Sequence, residues 1–176
     1  MILPFDSKTK LKTVWYGNTK GNGKIQANDL ETNIAIPESF GGSGEGAEPK
    51  GLLVNSAVAC YTMTLVAMLE TRNLPVAGFT MDSEASNSKE EGFKIIHYPH
   101  INFVSATEDQ IQSANRAILA ADKGCSVGNM LKKANVQIDI EVKYLFEHLK
   151  KMKLVSNMEE WNEVLRGKVV FKHGIA

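Results

Sequence analysis

The longest apolar stretch of the chain runs from Leu52 to Leu69 and follows a glycine-rich loop that leads to Pro49. Proline is tolerated in the first turn of a helix, and the acidic residues Glu45 and Glu48 suit a helix N-terminus. Asn73 and Pro75 mark the end of the helical pattern. Because apolar side chains occupy most sides of this helix, we expect it to be buried and the rest of the chain to pack around it.

The composition is that of an ordinary globular domain. The chain has 176 residues and a formal net charge of zero, which gives no reason to expect nucleic acid or an anionic membrane as a partner. Its first residues lack a basic segment followed by a long apolar one, so we expect no secretory signal. Asn55, Ser56, Thr62 and Thr64 interrupt the apolar stretch, which disfavours a membrane span. We therefore expect a cytoplasmic protein.

Alternating apolar and polar residues predict several short strands around this helix. The dipeptide Asn22-Gly23 is a strong hairpin signal within the predicted turn 17–23, and Pro99 predicts an edge position or a break in its strand. A polar loop over 86–92 joins two strands as a hairpin. The predicted strands cover residues 11–16, 24–28, 32–36, 78–85, 93–98, 101–104 and 136–144.

Two further helices are predicted in the second half of the chain. A capping box at Thr107–Gln110 begins a helix that ends near Gly124, and a short helix then runs to Lys133 with Cys125 at or near its start. Residues 145–176 differ in character and predict a helical extension, with a possible strand, packed on the domain formed by residues 1–144.

The two cysteines, Cys60 and Cys125, are the residues with the clearest chemical potential. In a chain that is not secreted they are either buried spectator thiols or a redox pair, and spacing alone does not decide. A helix N-terminus stabilises a thiolate, which predicts a lowered pKa for Cys125. Burial in the apolar helix predicts a raised pKa for Cys60, which would need a neighbouring cation or hydrogen-bond donor to become a nucleophile.

The histidines do not predict a metal site. His97 and His100 are three residues apart on a predicted strand, which places them on opposite faces. No Cys/His pair has the spacing of metal ligands, so we expect no metal.

Both cysteines lie in motifs that resemble a known family. The first is Gly46-Ala-Glu-Pro-Lys-Gly-Leu-Leu-Val-Asn-Ser-Ala-Val-Ala-Cys60, and the second is Ala121-Asp-Lys-Gly-Cys125-Ser-Val-Gly-Asn-Met-Leu131. They resemble the patterns Gly-x-Asn-Pro-Glu-x-Leu-Leu, followed after six residues by Cys, and Ala-x-x-x-Cys-Pro-Val-Ser-x-x-Leu of the OsmC/Ohr family. This family comprises osmotically inducible and organic hydroperoxide resistance proteins, and the resemblance covers roughly residues 10–144.

The resemblance implies an α+β fold in which antiparallel sheets wrap long central helices of an intertwined homodimer. It also implies a peroxidase of organic hydroperoxides that needs no cofactor. Cys60 would be the peroxidatic thiol and Cys125 the resolving thiol, and a dihydrolipoyl-type dithiol would reduce the disulfide that they form.

The activating residues of the family are not matched here. The family uses an Arg from the N-terminal hairpin region and a Glu ten residues before the first cysteine, whereas the first Arg of this chain is Arg72. The candidates to replace them are Lys20, Lys24, Lys50 and Glu48. Two alternatives therefore stand beside the enzyme: a non-enzymatic relative that binds a small molecule or lipid, and a thiol redox sensor.

Overall fold

The computed structural model describes residues 9–27 and 30–142, which form an α+β domain. Within these ranges two three-stranded sheets, in the orders β1-β2-β3 and β4-β5-β6, accompany three α-helices. The elements are β1 (Lys12–Tyr16), β2 (Asn22–Ala27), β3 (Leu30–Ala35), α1 (Pro49–Thr71), β4 (Val76–Ser88), β5 (Gly92–Phe103), α2 (Glu108–Gly124), α3 (Ser126–Lys133) and β6 (Gln137–Ile140). The predicted extension over residues 145–176 lies outside the described residues.

The first sheet confirms the three predicted antiparallel strands but not the exact position of the hairpin turn. The chain reverses between β1 and β2 before Asn22, and Gly17 at the start of this turn has a φ of 82°. Asn22 and Gly23 already lie in β2, opposite Tyr16 and Trp15. A Cβ atom on Gly23 would lie 2.5 Å from the carbonyl oxygen of Val14, so this glycine permits close strand approach rather than a turn.

Helix α1 has the predicted bounds. Its first turn contains Pro49, and the carboxylate of Glu48 caps the helix by accepting a hydrogen bond from the N–H of Gly51 at 3.0 Å. Asn73, in the left-handed region with a φ of 50°, follows the end of the helix. Sequence reasoning identified these signals because they are local to the helix ends.

Only one face of α1 is covered within the described part of the chain. That face packs on α2 and the second sheet through Ala57, Tyr61, Thr64, Leu65 and Leu69. Met63 and Val66, on the opposite face, are 57% and 45% exposed, and Leu53 in the first turns of the helix is 38% exposed. By length and composition, α1 is the one helix of the described ranges that could cross a membrane, a test that core helices of globular proteins also pass. Within the described residues, the rest of the chain therefore does not cover α1 on every side as expected.

The second sheet differs from the predicted strands at Pro99. This residue lies inside β5, opposite Met81, so the predicted break is wrong. Strand β6 pairs with β5 only from Lys94 to His97 among the described residues. Among the described residues, Pro99 therefore lies in a part of β5 that has no neighbouring strand on this side, which agrees with the alternative prediction of an edge position.

Strand β6 runs parallel to β5, an arrangement that the expectation of antiparallel sheets did not include. The chain leaves β5, passes through α2 and α3, and returns in the same direction, as a helical crossover requires. The strand covers four residues, Gln137–Ile140, rather than the predicted nine, of which residues 143–144 lie outside the described ranges.

The predicted capping box of Thr107 and Gln110 begins α2 and is confirmed.

Replacing the capping carboxylate should destabilise the domain. We expect Glu48→Ala to lower the free energy of unfolding by about 1 kcal/mol, because the N–H of Gly51 loses its acceptor. Urea denaturation followed by circular dichroism measures this difference. Glu45→Ala, at an exposed loop position, is the matched control. Equal stability of the two variants would contradict the capping role.

Candidate active site

Cys60 and Cys125 meet where the junction of α2 and α3 packs against α1. Cys60 lies in the middle of α1 and is partly exposed, whereas Cys125 is the N-cap residue of α3 and only 2% exposed. Both thiols are free, Cys60 packs against the core cluster that contains Cys125, and each thiol shifts the pKa of the other. The structure thus brings together the two cysteines that the sequence analysis selected.

Two glycines allow this close approach. A Cβ atom on Gly124 would lie 3.0 Å from Cε of Met68 and 3.3 Å from Cγ2 of Thr64, so the end of α2 lies directly against α1. A Cβ atom on Gly128 would lie 3.2 Å from the sulfur of Cys125. Larger residues at either position would crowd the helices or the thiol of Cys125 itself.

The N-terminus of α3 provides hydrogen-bond donors to both sulfurs. The first N–H groups of a helix have no partner inside it. The N–H of Gly128 donates to Sγ of Cys125 at 3.3 Å, while the N–H groups of Ser126 and Val127 act on Cys60. The hydroxyl of Ser126 lies 3.5 Å from Sγ of Cys60 and adds a side-chain contact.

The acidities of the two thiols are the reverse of the sequence expectation. Burial raises the pKa of Cys60, but donors from Val127, Ser126 and Cys125 outweigh burial and hold this pKa below its usual value. Burial raises the pKa of Cys125 to about 11, with further increases from Cys60 and Asp122 that the N–H of Gly128 does not offset. At neutral pH Cys125 is therefore a thiol, and Cys60 is the more acidic of the pair.

A buried polar cluster lies next to the thiols. His97, 1% exposed, shares a 2.8 Å hydrogen bond through Nδ1 with the hydroxyl of Ser83 and stacks on Tyr61 with ring centroids 5.2 Å apart. Burial lowers the pKa of His97, so the ring is neutral at pH 7. Asp122 and Lys132 form an ion pair of 2.6 Å that joins α2 to α3. Sequence reasoning missed this pair because its members lie on separate helices.

The candidate activating residues have other contacts in the described chain. Nζ of Lys24 lies 2.6 Å from Glu31, and Nζ of Lys50 lies 6.0 Å from the ring centroid of Phe93. Glu48 caps α1, as described above. Lys20 lies in the turn before β2, where its N–H donates to the side chain of Asn18. An activating role for these four residues stays a prediction.

The fold and the paired cysteines define a class of α+β proteins in which a thiol on a central helix faces a thiol at the start of another helix. The chain belongs to the OsmC-like protein family, whose profile matches residues 42–141. This range contains both cysteines and confirms the family indicated by the two motifs.

Known relatives agree with this assignment. YmaD of Bacillus subtilis (strain 168) is 32% identical over 136 residues, which are 74% of this chain and 90% of the relative. The crystal structure of an OsmC-like protein of Mycoplasma pneumoniae matches with a TM-score of 0.60 at 18% identity, covering 78% of this chain and 97% of that one. An organic hydroperoxide resistance protein of Legionella pneumophila gives a TM-score of 0.58 at 20% identity, with coverages of 79% and 98%. Both structures share the fold.

The difference between the two thiols predicts selective modification. We expect iodoacetamide to alkylate Cys60 with a pH midpoint below that of a free cysteine, about 8.5, because donors from α3 stabilise its thiolate. Cys125 should resist the reagent across this range, because it is buried and its pKa is about 11. Mass spectrometry of the two cysteine peptides measures both rates, with the unfolded protein as the reference. Faster alkylation of Cys125 than of Cys60 would contradict this ordering.

Proposed function

We propose that this protein is a thiol peroxidase that reduces organic hydroperoxides to alcohols, with Cys60 as the peroxidatic and Cys125 as the resolving cysteine. The observation that carries the proposal is the asymmetry of the pair. Cys60 is accessible and its pKa is lowered, whereas Cys125 is buried beside it and keeps its proton. A peroxidatic thiol must be ionised and accessible to the hydroperoxide, and a resolving thiol must lie near it without reacting first.

The proposed reaction has three balanced steps. The Cys60 thiolate attacks the distal oxygen of ROOH, so that an S–O bond forms, the O–O bond breaks and the alkoxide leaves to take a proton as ROH. The Cys125 thiol then attacks the Cys60 sulfenic acid, which forms the disulfide and releases water. A dithiol of the dihydrolipoyl type reduces this disulfide by exchange and is itself oxidised to a cyclic disulfide. The two cysteines perform this cycle without a cofactor.

The relatives and the state of the cysteines are consistent with this reaction. One protein of the same fold, from Legionella pneumophila, is named an organic hydroperoxide resistance protein. The two cysteines are free in the structure, which is the reduced form from which the proposed cycle begins. We also propose that the protein acts in the cytoplasm, where thiols are kept reduced.

We also propose that the working form is a homodimer. The exposed apolar face of α1 and the apolar side of the first sheet are surfaces that a second copy can cover. Within the chain, β3 joins the segment before α1 through an isolated bridge of Ile34 and Ala47. Leu53, Met63 and Val66 are exposed on a helix whose other face is core. Because Cys60 and Met63 are three residues apart on α1, a partner over Met63 would also line the approach to Cys60.

The proposed dimer determines how close the predicted activating lysines lie to Cys60. Lys20 and Lys24 accompany the first sheet, so their distance to Cys60 of either subunit depends on where this sheet lies in the assembly. Lys50 and Glu48 are fixed by α1 itself. Activation by Lys20 or Lys24 from the partner subunit is therefore compatible with the contacts of a single chain.

A second candidate function is the binding of an apolar small molecule without turnover. A concavity of about 540 Å³ opens between the first sheet and the first turn of α1. Its walls are almost entirely apolar and include Trp15, Ile25, Ile34, Phe40, Pro49 and Leu52. An aliphatic or aromatic ligand fits such a surface, whether it is a hydroperoxide or an inert lipid.

Oxidation and turnover test the peroxidase. We expect one equivalent of cumene hydroperoxide to convert the protein to a Cys60–Cys125 disulfide, and dihydrolipoamide to sustain turnover, because the reactive thiol has a resolving thiol in contact. Cys60→Ser should abolish both reactions. Cys125→Ser should still be oxidised once, and should then accumulate the sulfenic acid that dimedone labels. Mass spectrometry and cumyl alcohol formation are the measurements.

Other outcomes separate the alternatives. A disulfide that forms without sustained turnover would identify a redox sensor. A co-purifying apolar ligand that is retained by the Cys60→Ser and Cys125→Ser double variant, without alcohol formation by the native protein, would identify a binding protein. Either result would overturn the proposed enzyme.

A charge on the exposed face of α1 should disrupt the proposed dimer. We expect Val66→Glu to shift the sedimentation coefficient from that of a dimer to that of a monomer, because the carboxylate would be buried without a partner. Asn87→Glu, at an exposed position of β4, introduces the same side chain away from α1 and should leave the dimer intact. A native protein that sediments as a monomer would contradict the proposal.

A further inference from the structure

We propose that Ser126 is a catalytic residue of this site, which donates hydrogen bonds from its hydroxyl and its backbone N–H to the Cys60 thiolate in place of an activating arginine. The contact with the thiolate stands independently of the reaction. Its role in hydroperoxide reduction rests on the function proposed above.

The position of Ser126 in α3 provides the geometric basis. Its Oγ lies 3.5 Å from Sγ of Cys60, a length compatible with a hydrogen bond to sulfur, which is longer than one to oxygen. As the first residue of the helix, Ser126 also has a backbone N–H without an acceptor in the helix. The hydroxyl of Ser126 therefore reaches the reacting atom, and its backbone N–H is a second donor that the helix leaves available.

The N-terminal N–H groups of α3 are divided between the two sulfurs. Asn129 is the first residue whose N–H bonds within the turn, to the carbonyl of Cys125 at 2.9 Å. The N–H of Gly128 is taken by Sγ of Cys125 at 3.3 Å. Those of Ser126 and Val127 remain for Cys60, at the end of the helix where the dipole favours a negative charge.

Proline at position 126 would remove both donors of this residue. The second cysteine motif of the OsmC/Ohr pattern has proline after its cysteine, whereas this chain has Ser126. Proline has neither an N–H nor a hydroxyl, so only Val127 would remain to act on Cys60 from this helix turn. The replacement therefore adds donors in a chain that lacks an arginine before Arg72.

Several other titratable groups surround the thiols and must be considered in any pH profile. On α1, Tyr61 is buried beside Cys60, and burial raises its pKa. On β5, His97 is neutral because burial lowers its pKa. Between α2 and α3, the charge of Asp122 is paired with Lys132 at 2.6 Å. The pKa of Cys125 is about 11, so Cys60 is the thiol of the pair that ionises first as the pH rises.

A hydrogen-bond donor to the thiolate has opposite effects on the reaction rate of Cys60 at pH values below and above its pKa. Loss of one hydrogen bond to a charged group raises the pKa by about one pH unit. At a pH below both pKa values this leaves about tenfold less thiolate, offset about threefold by the higher intrinsic nucleophilicity of a more basic thiolate. The net rate therefore falls about threefold at a pH below both pKa values, and rises about threefold once Cys60 is ionised in both proteins.

The test is the pH profile of Cys60 alkylation by iodoacetamide in Ser126→Ala and in the native protein. We expect the midpoint to rise by about one pH unit and the two rate curves to cross. Ser126→Pro should shift the midpoint further, because it also lacks the N–H, whereas Ser126→Thr should restore the native profile. Ser86→Ala, the same change at an exposed site on β4, is the control for the substitution itself.

The outcomes distinguish this proposal from the proposed function. An unchanged midpoint in Ser126→Ala, or equal loss at every pH in a variant with native circular dichroism, would overturn the role of Ser126 even in an active peroxidase. A shifted midpoint with crossing curves supports it even if cumene hydroperoxide is not turned over. With an active enzyme, the single-turnover rate of hydroperoxide reduction should show the same crossing.

Discussion

The packing of the α3 N-terminus against the middle of α1 determines the chemistry of this domain. A short helix leaves its first N–H groups without internal acceptors, and here they interact with the two sulfur atoms. Gly124 and Gly128 have no side chains to separate the helices, and the Asp122–Lys132 ion pair holds the end of α2 to α3. The site is therefore an arrangement of helix ends, in which backbone donors take part directly in the stabilisation of a charge.

The same helix end produces unlike acidities in its two thiols. Cys125, although it is the N-cap residue, is almost fully buried and receives a donor from Gly128 alone, so desolvation dominates. Cys60 is partly exposed, which limits the cost of desolvation, and it receives several donors. The difference follows from the ratio of donors to burial at each sulfur, and not from which cysteine belongs to the helix.

Sequence reasoning succeeded where the signal was local and failed where it was not. Pro49 with Glu48 predicted the start of α1, and Thr107 with Gln110 predicted the start of α2, because each motif satisfies its own helix terminus. The parallel direction of β6 depends on the helical crossover from β5, and the alternation of apolar and polar residues in a strand does not predict its direction. The lowered pKa of Cys60 depends on a helix turn that is distant in sequence, so local burial alone predicted a raised pKa.

The apolar character of α1 on nearly all sides gains a physical explanation from the proposed dimer. Residues 9–27 and 30–142 cover the face of Tyr61 and Leu65 and leave Met63 and Val66 exposed, although both of these side chains are apolar. A second copy would bury this face and, with it, the surroundings of Cys60. Desolvation would then raise the pKa of Cys60, while the donors of α3 would strengthen in the lower dielectric. Cys60 therefore stays reactive in the dimer only if hydrogen-bond donors lower its pKa by at least as much as burial raises it. Ser126 lies where it can donate directly to Sγ of Cys60, the atom that carries the charge.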